Sequence, residues 1–144
     1  MKENNQPIKK ILLPYAGIMV ILCIFAQVVI ALRGSSIDFI AGLALMPAFI
    51  YYLYFNVMFK NRLSKVRFGA LVAHVVGFLI VNLSYHIHAG VLVLSNVSNS
   101  QGPVVNLSPS WFGVLFGMFV FWGLGLLIHL IASISLNGFE ELEI

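Results

Sequence analysis

Four long apolar stretches, separated by short polar joints, dominate this chain and decide what it can fold into. They cover residues 11–32, 39–59, 68–94 and 111–136. At about 1.5 Å per residue, each is long enough as an α-helix to cross a hydrocarbon layer of roughly 30 Å. Lipid offers no water to backbone N–H and C=O groups, so such a stretch must bond them within itself, as a helix does. The expected fold is all-α: a single integral membrane domain of four transmembrane helices forming a bundle.

Composition excludes the alternative of a water-soluble domain. Hydrophobic residues make up 60% of the chain and charged residues only 9%, against about a quarter charged in soluble proteins. The first stretch is longer than the apolar region of a signal peptide, and Ile30-Ala31-Leu32-Arg33 lacks a small-residue cleavage pattern, so it reads as a retained span. Pro47 removes a backbone donor inside the second stretch and predicts a kink there. The single cysteine, Cys23, rules out an intramolecular disulfide.

The cations set an expected orientation. Seven of the eight Lys and Arg residues fall in two places, Lys2, Lys9 and Lys10 before the first span, and Lys60, Arg62, Lys65 and Arg67 between the second and third. Arg33 is the exception. The positive-inside rule puts the N-terminus and the middle joint in the cytoplasm, and four crossings return the C-terminus there. The acidic tail, Glu140, Glu141 and Glu143, weighs little in that rule. The net charge of +3 sits at membrane borders, so it argues for topology and against nucleic acid.

Residues 95–110 carry no charge and are rich in Ser, Asn, Gly and Pro, the composition of an external loop. Asn96 and Asn106 each begin a glycosylation sequon. Ser108 followed by Pro109 reads as a helix start, with the serine hydroxyl capping free amides. Trp111 is expected at the outer membrane interface, and Gly138 as a C-cap.

Small residues recur at four-residue spacing: Ala44 and Ala48 in the second span, Gly69, Ala73 and Gly77 in the third, Gly113 and Gly117 in the fourth. Such stripes let helix backbones approach closely in lipid, which predicts an antiparallel hairpin of the last two spans. Tyr51, Tyr52, Tyr54, Phe55 and Phe59 read as an interfacial aromatic belt.

Polar groups inside a membrane are costly, so they mark where function would reside. The candidates are His74, Asn82, Tyr85, His86, His88 and His129, with Gln27 and Asn56 beside them. At 100° per residue, His74, Val81, Tyr85 and His88 share one stripe of the third span, with Asn82 and His86 on an adjacent one. His74 and His129 lie at similar depths, roughly 10 and 13 Å from the cytoplasmic border. Gly125 leaves space on the His129 face. Facing imidazoles can hold a metal or haem iron, relay a proton, or form an interhelical hydrogen bond. His86 and His88, two apart on a helix, point away from each other and make a poor chelating pair.

The chain has no phosphate-binding glycine loop, no His-Glu-x-x-His and no Gly-x-Ser-x-Gly. Among carboxylates only Asp38 approaches a span. This argues against an enzyme and predicts no resident cofactor.

The later spans resemble a known family. His74, an apolar run and Asn82, then Trp111-Phe112, then Trp122-Gly123-Leu124-Gly125-Leu126-Leu127-Ile128-His129 resemble the 2TM-domain family, a helical hairpin found alone or attached to bacterial sensor histidine kinases. Tyr51-Tyr52-Leu53-Tyr54-Phe55-Asn56 is similar to the second span of the four-helix input regions of such kinases. The resemblance implies a bacterial cytoplasmic-membrane protein. The chain departs from the kinases in stopping at Ile144 without dimerisation or ATP-binding domains, so phosphoryl transfer is not implied.

The leading expectation is a non-enzymatic membrane protein that acts in sensing or as an accessory subunit, by association with itself or with a cytoplasmic protein. An oligomeric channel lined by Asn82 and His86 is the first alternative. A haem or metal protein using His74 and His129 is the second.

Overall fold

The computed structural model describes residues 9–66, 68–99 and 107–137. Lys2, Arg67, Gly138 and the acidic residues Glu140, Glu141 and Glu143 lie outside them, as do Asn106 and the side chain of Asn96. Five helices occupy the described residues, and no strand is found among them: α1 (Lys9–Leu32), α2 (Phe39–Met58), α3 (Lys60–Leu63), α4 (Gly69–Asn99) and α5 (Pro109–Asn137). All but the one-turn α3 are long and apolar enough to cross a membrane.

Each long helix except α5 presents a regular buried stripe. On α1 it runs Ile11, Tyr15, Met19, Cys23, Ala26 and Ile30, and on α2 Ala41, Ala44, Ala48, Tyr52 and Phe55. On α4 it is Ala73, Gly77, Val81, Tyr85 and Ala89. Spacings of three and four keep each stripe on one side of a 3.6-residue helix. Small residues at the crossings permit close approach. Tyr15, for example, stacks on Phe55 at 4.0 Å between ring centroids. Its hydroxyl also occupies the space beside Gly77, where an added Cβ would come within 2.6 Å.

Helix α1 packs on both α2 and α4, and α4 on α5. Tyr15 near the start of α1 meets Phe55 near the end of α2, so these two run antiparallel. Gln27 meets Ser84 and His88, which makes α1 and α4 parallel neighbours. His74 faces His129 while Tyr85 faces Trp111, so α4 and α5 form the expected antiparallel hairpin. Helices α2 and α5 meet only through long side chains, Phe49 and Tyr52 reaching Trp122, and a cleft remains between them.

The α1–α2 connection is built from local hydrogen bonds. The Ser35 N–H bonds Ile30 O and the Gly34 N–H bonds Ala31 O, a Schellman closure of α1 with Gly34 at φ +71°. Asp38 then caps α2, its Oδ1 accepting from Ala41 N at 2.9 Å, while its Oδ2 accepts from Arg33 Nη2 at 2.5 Å.

Several sequence expectations change. Helix α4 runs to Asn99, five residues beyond the expected boundary, because residues 95–99 contain neither Gly nor Pro and the Ser95 hydroxyl bonds within the helix to Leu92 O. Pro109 opens α5, but the Ser108 hydroxyl pairs with that of Ser110 at 2.7 Å and does not cap an amide. Trp111 points inward, 1% exposed, because its indole N–H finds an acceptor in Ser35 O at 2.8 Å. The aromatic belt divides: Tyr52 and Phe55 belong to the core, whereas Tyr54 is exposed. Gly113 and Gly117 take no part in the α4–α5 contact, since a Cβ at either would meet nothing. Trp111, Trp122 and His129 set the inner face of α5, nearly opposite Gly113 at 100° per residue.

Candidate functional site

The polar residues of the spans collect into two clusters. The first lies at the cleft between α2 and α5. Ala48, Tyr52 and Phe55 continue the buried stripe of α2, which turns the Tyr52 hydroxyl toward α4. There it hydrogen-bonds His74 Nδ1. His74 Nε2 bonds the carbonyl oxygen of Trp122 at 3.2 Å. A carbonyl only accepts, so Nε2 carries the proton and Nδ1 accepts from the tyrosine hydroxyl. His74 is thus a neutral imidazole with both nitrogens engaged.

The His129 ring lies against that of His74, with centroids 4.7 Å apart and planes 39° from parallel. Gly125, one turn earlier, allows this approach: an added Cβ would stand 3.0 Å from His74 Cε1. Among the described residues, the His129 nitrogens make no hydrogen bond. Tyr52, His74 and His129 form the polar part of a cleft of about 390 Å³. Phe49, Phe121 and Trp122 supply aromatic walls.

The second cluster lies toward the opposite end. Gln27 Oε1 accepts from His88 Nδ1 at 2.8 Å, and Gln27 Nε2 donates to Ser84 Oγ at 3.3 Å. Ser84 in turn donates to Val81 O. With its proton on Nδ1, neutral His88 accepts from the Ser35 hydroxyl at Nε2, 3.3 Å away. Ser35 O receives the Trp111 indole, whose ring lies 5.0 Å from His88. The chain of bonds joins α1, the α1–α2 connection, α4 and α5, and every proton in it has a place.

The remaining candidates stand apart. Asn82 is buried with Nδ2 donating to Phe78 O, one turn back on its own helix, and its Oδ1 has no partner. His86 is exposed and donates from Nδ1 to Asn82 O. Asn56 similarly returns to Tyr52 O. Tyr85 is buried beside Trp111.

These arrangements bear on the chemistry. Among the described residues, no three His, Cys, Asp or Glu side chains gather where they could hold a metal ion. Binding a metal through His74 would break one of its two hydrogen bonds. Two axial imidazoles must flank a haem plane, yet the rings of His74 and His129, with centroids 4.7 Å apart, leave no gap for a macrocycle. The donor set therefore does not fit haem.

Sequence reasoning identified His74, His129, Gln27 and His88 but not Tyr52, Ser35, Ser84 or the inward role of Trp111 and Trp122. Tyr52 had a signal: it continues the Ala41, Ala44, Ala48 spacing of the inner face of α2. Ser35 had none, since its position depends on the Schellman turn.

No family model matches the chain, and neither a curated protein nor a solved structure is found to be similar to it.

Proposed function

We propose that this chain is a four-pass protein of a bacterial cytoplasmic membrane, with both termini inside, that acts without catalysis as a sensing or accessory subunit by association through α5. The observation that carries the reading is the unequal burial of the four spans. Only 6% of the most apolar stretch of α5 is buried, against 28–33% in the other three. The outward face of this helix presents Gly113 and Gly117 with open space at each Cβ position. Exposed Phe112, Phe116 and Phe119 flank that face. A flat strip between large side chains suits close helix contact in lipid, where association is driven by packing.

The distribution of charge supports the orientation. One end carries Lys9 and Lys10 at the start of α1, and Lys60, Arg62 and Lys65 in and after α3. At the other end, Arg33 and Asp38 pair with each other. The exception to the positive-inside pattern is thereby neutralised.

A pore lined by Asn82 and His86 has less support. Asn82 is buried within a single chain and bonded to its own helix, while His86 faces outward from it.

Subunit counting by photobleaching in lipid nanodiscs tests association. The expected result is a self-associated species that dissociates in the G113L/G117L double variant while the monomer keeps its melting temperature. A monomer at every protein-to-lipid ratio, or an oligomer indifferent to both substitutions, would refute it.

A further inference from the structure

We propose that the cleft between α2 and α5 binds an uncharged, lipid-soluble aromatic compound whose carbonyl oxygen accepts a hydrogen bond from His129. Of the cleft's polar side chains Tyr52, His74 and His129, only His129 makes no hydrogen bond among the described residues. Both nitrogens of His74 are engaged, and the Tyr52 hydroxyl is committed to it. His129, half-buried among apolar residues, has neither nitrogen bonded among the described residues. A polar group removed from water without a partner is costly, so a ligand that supplies one gains that difference. A neutral imidazole offers one N–H and one lone pair, and a carbonyl oxygen satisfies the donor without importing charge.

The walls decide the rest of the chemistry. Phe49, Phe121 and Trp122 line the cleft, an arrangement that favours a flat ring over a flexible chain. Among the described residues no charged side chain lines it, so an ionic headgroup would lack a counter-charge in hydrocarbon. Gly125 contributes the absence of a side chain beside His129, and a volume of about 390 Å³ accommodates a bicyclic ring.

Access also points to a ligand delivered from lipid. Phe121, Leu124 and Ile128 at the mouth are 63%, 57% and 67% exposed. His129 lies roughly 12 Å along the helix from Asn137, a depth within the hydrocarbon layer of a spanning α5. The cleft thus opens sideways into the membrane phase. The Gly113/Gly117 strip lies roughly 18 Å or more along α5 from His129, so ligand binding and self-association are read through different substitutions and can fail independently.

The test uses the full chain in nanodiscs, with empty nanodiscs subtracting partition into lipid. Three probes are titrated: 2,3-dimethyl-1,4-naphthoquinone, 2,3-dimethylnaphthalene, which has the ring but no acceptor, and dodecanoate. The expected result is saturable binding of the quinone at one site per chain. Its affinity falls about tenfold in His129→Leu and for the probe without carbonyls, the loss of one hydrogen bond. Ile128→Trp fills the mouth from an exposed position that the fold does not need, and abolishes binding. Non-saturable uptake, equal affinity for the two ring compounds, tighter binding of dodecanoate, or binding unchanged by both substitutions would overturn the proposal.

Discussion

Gln27 on α1 and His88 on α4 are joined by a hydrogen bond of 2.8 Å, and Gln27 extends the link to Ser84 on the other side of its amide. One side chain thereby satisfies two groups of a neighbouring helix. Gln27→Leu leaves the His88 ring N–H without its acceptor and removes the donor to Ser84. The expected cost is about 1 kcal/mol, within the range for interhelical bonds in membranes. His86→Leu, which removes only a bond to its own helix on an exposed face, should cost less. Reversible unfolding in mixed micelles compares the two, and equal costs would deny the network its role.

Asp38 makes stability depend on pH. The Ala41 amide that it caps, and then the Arg33 guanidinium, hold its carboxyl below the ordinary range. A carboxyl whose folded pKa is depressed contributes stability above its unfolded value, about 3.9, and loses it as pH falls through the lower folded value. The melting temperature should therefore drop on acidification below about pH 4. In Asp38→Asn that part of the pH dependence should vanish. An unchanged acid limb in the variant would assign the effect elsewhere.

The glycines should separate by position. Gly77→Ala brings a Cβ to within 2.6 Å of the Tyr15 hydroxyl, and Tyr15 is fully buried and stacked on Phe55, so it has little room to yield. Overpacking of this kind costs about 1–3 kcal/mol. Gly117→Ala meets open space and should leave the stability of the monomer unchanged or slightly raised, through better helix propensity. Thermal melts of the two variants check the contrast.

The four apolar helices were legible because length and hydropathy dominate when water is excluded, and the small residues of α2 and α4 correctly marked buried faces. Other features depend on three-dimensional partners that no local pattern announces. Trp111 fits the composition of an interface, but the α1–α2 turn places Ser35 O against its indole and draws it inward. Gly113 and Gly117 have the same spacing as Gly69, Ala73 and Gly77, yet only the latter face the bundle. A stripe tells that a helix has a flat side, and not what lies against it. His74 and His129 could be placed at one level by counting residues, whereas the saturation of His74 by Tyr52 and Trp122 required the packing of three helices.

The basic and the neutral ends of the bundle make sidedness the decisive test. In a Cys23→Ala background, single cysteines at Lys60 at the start of α3 and at Ser36 in the α1–α2 connection can be probed in intact cells with a membrane-impermeant maleimide. The account predicts labelling at position 36 without permeabilisation, and at position 60 only after it. Labelling of position 60 in intact cells, with position 36 protected, would contradict it.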